Sequence, residues 1–310
     1  MSATAGQASG PLLAAEAVSA RFGQVLAVDD VTMSVAAGEV VGLLGANGAG
    51  KTTLIRMLLG LTRPSSGETS LFGGPPDRRR RRRLGYVPQG MGLYPDLTVA
   101  ENVAFTAGIF GVPAPGLPAG LAEVSDRLVD SISLGLARRL AFVCALLHDP
   151  QALVLDEPTS GVDALARSQL WEVVGERAAA GVGVLVTTHY LQEAQQCDRL
   201  LLMSDGHLVA EGDESDIIGD ATAVQVQCDD WAGAFAALAD SGAPVALDGT
   251  AVRIPDGDAQ KIITVLRAAG IEAQVQHVPA TIAERMTMLA QAPQAAAAGG
   301  GVTAPKTERA

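Results

Sequence analysis

Cysteine is scarce and scattered: Cys144, Cys197 and Cys228 stand alone in a chain of 310 residues, with no C-x-x-C pair. That excludes a disulfide-stapled mini-protein and fits reduced thiols acting as small hydrophobes in a cytoplasmic protein. Basic residues are outnumbered, 22 against 34 acids, giving a net charge of −12 and a pI near 4.7. A general nucleic-acid binder would be basic, so no nucleic-acid partner is expected. Long hydrophobic runs are missing as well. The mean hydropathy of +0.25 comes from Ala, Val and Leu spread through the chain, and no stretch nears the roughly 18 apolar residues of a spanning helix. The densest patch, Ala141–Leu147, has the length of a core helix. The N-terminus lacks a basic flank followed by a compact apolar block, so no signal peptide is expected, and no solenoid-type repeat occurs.

What is present is enough chain for about two domains. Val40–Leu44, Ala152–Leu155 and Val182–Val186 are short apolar runs bounded by Gly, Asp or polar residues. They read as buried parallel strands. Helical patterns follow each at Lys51–Leu61, Asp163–Ala180 and Tyr190–Gln196, which predicts an α/β fold. Leu200–Met203 and Leu208–Ala210, around Asp205-Gly206, read as a closing hairpin. A second unit follows in the order β-α-β-β-α-β: Ala223–Gln227, Trp231–Ala239, Val245–Leu247, Ala251–Ile254, Ala259–Ala269 and Glu272–Gln276. That order suggests a small ferredoxin-like α+β domain. The expected boundaries are a flexible 1–10, a main domain at 11–219, an accessory domain at 220–290, and an Ala/Gly-rich disordered tail at 291–310.

The strongest local signal is Gly45-Ala46-Asn47-Gly48-Ala49-Gly50-Lys51-Thr52-Thr53, a fit to the P-loop pattern G-x-x-x-x-G-K-[ST] between a strand and a helix. Glycines let backbone N–H groups curl around phosphate oxygens, and the helix N-terminus favours the anion. Lys51 adds a charge near the β- and γ-phosphates, and the Thr52 hydroxyl suits Mg²⁺. The bland alternative is a glycine-rich turn with an exposed lysine. A second signal, Leu153-Val154-Leu155-Asp156-Glu157-Pro158, is an apolar strand ending in two acids. Asp156 suits a direct or outer role at Mg²⁺, and Glu157 is placed to polarise a water against the γ-phosphate. Standing alone it reads equally well as a strand ending in an acidic turn; roughly a hundred residues after a P-loop it becomes specific.

With these motifs in register, the chain resembles the nucleotide-binding subunits of ATP-binding cassette (ABC) transporters over residues 12–215. Tyr86-Val87-Pro88-Gln89 resembles the Q-loop, which implies that Gln89 contacts Mg²⁺ and the attacking water. Thr187-Thr188-His189 resembles the switch segment, with His189 at the γ-phosphate. Thr159-Ser160-Gly161-Val162-Asp163 resembles the D-loop that bridges two such subunits, although Asp163 also suits a helix N-cap. Arg21-Phe22-Gly23 resembles the A-loop, whose ring stacks on adenine, although Phe22 also suits a core. The resemblance implies a RecA-like P-loop NTPase sheet with an ABC β-subdomain and a helical subdomain. It further implies ATP and Mg²⁺ as cofactors, a second ATPase chain as partner (a homodimer or heterodimer), and a separate transmembrane permease that holds the protein at the cytoplasmic face of the membrane.

Two departures stand out. The signature pattern L-S-G-G-Q here reads Ile132-Ser133-Leu134-Gly135-Leu136. Ser133 and Gly135 keep their places, Ser133 as an N-cap able to offer its hydroxyl to a γ-phosphate of the other chain. Leu134 must point away from the nucleotide or narrow the site. Gly111 to Pro118 is rich in Pro and Gly, so the helical subdomain is expected to lack about three turns. The S-L-G variant, the stretch from Gly92 to Asn102 and the ending Pro279 to Met286 all resemble the drug- and antibiotic-exporter branch. The arginine run Arg78–Arg83 leaves open a soluble ABC ATPase of translation or DNA maintenance, though a solvated loop or helix face is the simpler reading. Leu134 leaves open a regulatory module with weak hydrolysis.

Overall fold

The computed structural model describes residues 10–188 and 191–289. Residues 1–9 of the expected flexible segment 1–10, and the whole expected tail 291–310, lie outside that set. The chain divides into two compact units, with the break between Asp213 and Glu214, six residues ahead of the expected boundary.

The first unit runs β1 (Leu13–Phe22), β2 (Val25–Val35), β3 (Val40–Leu44), α1 (Lys51–Leu58), β4 (Ser66–Leu71), α2 (Arg78–Arg81), β5 (Leu84–Val87), α3 (Val99–Phe110) and α4 (Leu134–Leu146). It continues through β6 (Ala152–Asp156), α5 (Ala164–Ala179), β7 (Gly183–Thr187), α6 (Leu191–Ala194), β8 (Arg199–Ser204) and β9 (His207–Gly212). The main sheet has the order β5-β6-β7-β3-β8-β9. Its first five strands are parallel and β9 returns antiparallel. Every residue of β3, β6 and β7 is buried, as expected of apolar parallel strands covered on both faces. Strand alternation sorts their side chains into two cores. Val41, Leu43, Val154 and Leu185 pack with α1 and with the strands of a second, antiparallel sheet of order β2-β1-β4. Val40, Leu153, Leu155, Val184 and Val186 pack with Phe142 of α4 and with Leu170 and Val174 of α5.

α3 starts with a capping box in which Thr98 and Glu101 satisfy each other's backbone N–H, and it stops at left-handed Gly111. Buried Asn102 bonds the backbone of Tyr94, Leu97 and Thr98 and holds the preceding loop against the helix. From Gly111 to Ser133 only two single 3₁₀ turns form, at Ala122–Val124 and Val129–Ser131. Pro113, Pro115 and Pro118 account for the lost helix.

The arginine run forms a largely exposed face, as its composition suggests, and four of its six side chains also bond the protein. Arg80 pairs with the Asp77 N-cap. Arg81 donates to the carbonyls of Pro76 and Leu59, and Arg82 to that of Phe110. Arg83 bonds Gln151 and lies 4.0 Å over the Phe72 ring. The three cysteines are free thiols. Burial, aided by the charges of Glu193 and Asp198, pushes Cys197 up to about 12.

The second unit holds α7 (Glu214–Ile218), β10 (Thr222–Gln227), α8 (Trp231–Asp240), β11 (Ala246–Asp248), β12 (Ala251–Pro255), α9 (Ala259–Ala268) and β13 (Gln274–Pro279), then a helix over 282–289. The β-α-β-β-α-β order read from the sequence is present, as an antiparallel sheet of order β11-β12-β10-β13. The segment Pro279 to Met286 serves here as a clasp. Thr281 and Glu284 exchange capping hydrogen bonds. The buried Glu284 carboxylate takes a fork from Arg253 at 2.7 and 2.9 Å. Burial alone would raise the Glu284 carboxyl; the Arg253 and Thr281 hydrogen bonds outweigh it and hold the group below its ordinary value.

Removing one partner of such a buried pair strands the other charge. Arg253→Met should therefore cost the second unit about 3–5 kcal/mol, read by urea denaturation. An unchanged midpoint would show that the pair contributes nothing.

Candidate functional site

The Gly45–Gly50 loop leaves β3 and turns into α1 at the carboxyl end of the parallel strands, the position where open α/β sheets carry their ligands. Its glycines are required by geometry. Gly45 has φ +151° and Gly50 φ +101°. A Cβ at Gly45 would collide with the Met203 carbonyl, and one at Gly50 with the Ala27 carbonyl. Gly48, at φ +86°, faces open space with nothing within 4 Å. The loop thus backs tightly onto β8 and β2 and opens on its other side into a cavity of about 350 Å³. That cavity is lined by Asn47, Gly48, Gly50, Lys51, Thr52, Thr53, Gln89 and Glu157, with Ala27.

Lys51 is buried, only 5% exposed. Its ammonium donates to the carbonyls of Gly45 (2.8 Å) and Ala46 (3.1 Å). Burial lowers its pKa, and the charges of Glu157 and Asp156 work against that. A buried cation beside backbone N–H groups at a helix start favours an anion in the cavity.

Behind the loop runs a chain of polar contacts. Asp156, buried at the end of β6, accepts from Thr52 (3.1 Å) on one oxygen and from Thr187 (2.7 Å) on the other. The Thr187 hydroxyl in turn accepts from the Glu157 backbone N–H at 2.8 Å. Glu157 holds a left-handed conformation, φ +49°, uncommon for a residue with a side chain. Its carboxylate accepts from Gln89 Nε2 at 3.2 Å. The structure therefore brings Lys51, Thr52, Gln89 and Glu157 together around one cavity, with Asp156 buried behind Thr52.

The remaining expected residues lie elsewhere. Ser133 caps α4 and accepts from Leu136 N–H, and Asp163 caps α5 and accepts from Ala166 N–H at 2.9 Å. Neither these nor Gly135 lines the cavity of their own chain. Leu134 is 42% exposed and rests on the D-loop segment: a Cβ on Gly161 would come within 2.9 Å of its Cδ2. Phe22 ends β1 beside a hairpin turn and is 53% exposed, so it is not core. His189 lies outside the described residues.

Two residues escaped the sequence reading. Glu193 on α6 is buried and accepts from both Thr159 and Thr188 at 2.6 Å, with Arg167 at 3.3 Å, so it joins the segment after Glu157 to the segment before residue 189. Arg138 on α4 is 5% exposed and donates to the Gln89 carbonyl at 3.2 Å. Sequence offers little signal for either, since a charged residue on a helix is ordinarily solvated.

A phosphate-binding loop facing a strand-terminal acid pair, at the mouth of a parallel sheet, defines a P-loop NTPase. Comparison with known proteins agrees. The family model described as "ABC transporter" matches residues 28–160. The Nod factor export ATP-binding protein I of Ralstonia nicotianae is 38% identical over 279 residues, covering 85% of this chain and 87% of that protein. The protein of the same name from Burkholderia lata is 45% identical, covering 63% and 68%. The probable multidrug ABC transporter ATP-binding protein YbhF of Escherichia coli is 38% identical, over 66% of this chain and 38% of its own length. A solved ATP-binding subunit of an ABC transporter superposes with a TM-score of 0.60 at 31% identity, covering 66% of this chain and 91% of that one. The chain belongs to the ABC transporter family, as an ATP-binding subunit, and is an ATPase.

Gly50→Ala forces a left-handed alanine against the Ala27 carbonyl. It should abolish nucleotide binding, or lower stability by about 1–3 kcal/mol, as seen by nucleotide titration and thermal melting. Normal binding and an unshifted melt would contradict the close approach.

Proposed function

We propose that this chain energises an exporter of the drug- and antibiotic-export branch through a separate membrane subunit, sitting at the cytoplasmic face of the membrane. The names of its relatives support export. Among the described residues no helix is long and apolar enough to cross a membrane, in keeping with a permease supplied by another chain. Exposed Phe105 and Ile109 on α3, with Tyr94 packed edge-on against Phe105 at 4.9 Å, give that permease an apolar surface beside the Q-loop.

The observation that carries the reading is the contact chain Thr52–Asp156–Thr187–Glu157–Gln89 behind the phosphate loop. In front of it the P-loop amides and Lys51 bind the phosphates of ATP. Lys51 exchanges loop carbonyls for phosphate oxygens, and its buried charge stabilises the negative charge of the transferred group. Glu157 accepts the proton of the attacking water, and the Gln89 amide orients it. The donor set fits Mg²⁺: a hydroxyl and an amide at the cavity, with a buried carboxylate behind them. Among the described residues no cluster of three His, Cys, Asp or Glu could hold a metal by itself, so the ion would be held by Thr52 and Gln89, backed by Asp156, together with the phosphates. When bound, Mg²⁺ neutralises phosphate charge. His189 is assigned to the γ-phosphate and Phe22 to the adenine.

Ser133 and Gly135 stand apart from the cavity of their own chain, and that separation supports a site completed by a second copy or a related cassette. Asp163 would then lie along the junction between the two chains. ATP bound between two surfaces joins them, and its hydrolysis releases them.

Glu157→Gln should preserve ATP binding and lower turnover by roughly 10²-fold or more. A parental rate in phosphate-release assays would remove Glu157 as the base. Specific activity should rise with protein concentration until dimers dominate; a constant rate per chain across dilution would argue against a shared site.

A further inference from the structure

We infer that Arg138 is a positioning residue that ties the signature helix to the catalytic carboxylate within one chain; this rests on the ATPase reading above. Three observations meet at this side chain. First, it is almost wholly buried although it carries a full charge, and its Nε has no hydrogen-bond partner among the described residues. Burial pulls its pKa down while the charge of Glu157 pulls it up. A guanidinium kept in such a place without satisfying all its donors is costly and calls for a compensating role. Second, Nη1 donates to the Gln89 backbone carbonyl at 3.2 Å. The amide of that same Gln89 donates to Glu157 at 3.2 Å, so one residue receives Arg138 at its main chain and holds Glu157 with its side chain. Third, Arg138 stands five residues after Ser133, the cap of the same helix. A rigid helix rises about 1.5 Å per residue, so the two lie within about 8 Å along its axis.

Together these form a mechanical and electrostatic path: Ser133, the first turns of α4, Arg138, the Gln89 main chain, the Gln89 amide and Glu157. Glu157 also acts electrostatically on Lys51. In the proposed mechanism Lys51 turns to the phosphates, and Arg138 stays as a buried positive charge that acts on the carboxylate. A shift of Ser133 when it meets a nucleotide held by the opposite chain moves Arg138 and, through it, the angle at which Gln89 presents Glu157 to water. Arg138 touches neither nucleotide nor water in this scheme; it acts through Gln89.

The test uses the full-length chain with MgATP, at concentrations where the parental rate per chain is constant. Arg138→Met should lower kcat by about tenfold or more while the ATP dissociation constant stays within about twofold. Arg138→Lys, which keeps the charge but loses the planar fork, should recover part of the rate. In a double-mutant cycle with Gln89→Ala, the combined loss should fall well short of the product of the single losses, because both variants cut the same path. The inference is overturned if Arg138→Met turns over like the parent or if the two losses multiply. It is also overturned if Met and Lys variants alike lose ATP binding and melt early, which marks a purely structural arginine. A parent that binds no MgATP and releases no phosphate sinks the ATPase reading itself, a result distinct from all of these.

Discussion

The carboxylate of Asp156 is the junction on which the first unit's site is built. A buried carboxylate is unfavourable unless its oxygens are hydrogen-bonded, and here each oxygen takes a hydroxyl from a different element: Thr52 from the first turn of α1 and Thr187 from the end of β7. That requirement locks the phosphate loop, β6 and β7 into one register. Lys51 sits beneath the loop because Thr52 is held, and Glu157 takes its left-handed turn because its N–H is claimed by Thr187. The Glu157 carboxylate thus owes its direction to the preceding acid.

Much of this was legible in the chain. The apolar runs at Val40–Leu44 and Ala152–Leu155 are strands because continuous burial leaves them no polar face, and the glycine spacing before Lys51 requires a loop. The second unit's order of elements was readable for the same reason: its Asp-Gly turn and apolar alternation are local signals. What could not be read were contacts between residues distant in sequence. Arg138 and Arg139 are adjacent arginines on one helix, and only tertiary packing decides that the first is buried against Gln89, a separation of 49 positions. Glu193 gathers two threonines from separate loops, which no spacing rule foretells. The arginine run was legible as a solvated face, since α2 buries none of its residues; composition did not show that carbonyls at Leu59, Pro76 and Phe110 take donors from Arg81 and Arg82.

The leucine in the signature sequence finds its explanation in the loop after Glu157. Gly161 has no Cβ, and Leu134 occupies the space against it. Leu134 thus leans on its own chain while staying 42% exposed, and the Ser133 hydroxyl beside it caps the helix. Loss of helix after Gly111 follows from proline spacing and leaves a cavity of about 550 Å³ bounded by α4, α5 and the Pro115–Pro118 segment.

The far ends of α3 and α4 are stapled to the edge of the main sheet. Arg82 grips the carbonyl of Phe110, the Phe110 ring stacks on His148 at 3.7 Å, and His148 reaches the Leu84 carbonyl. With that corner pinned, any rotation of the two helices pivots there and behaves as a lever. The 13 residues of α4 give it an arm of about 20 Å, and the greatest travel falls at the Ser133 tip.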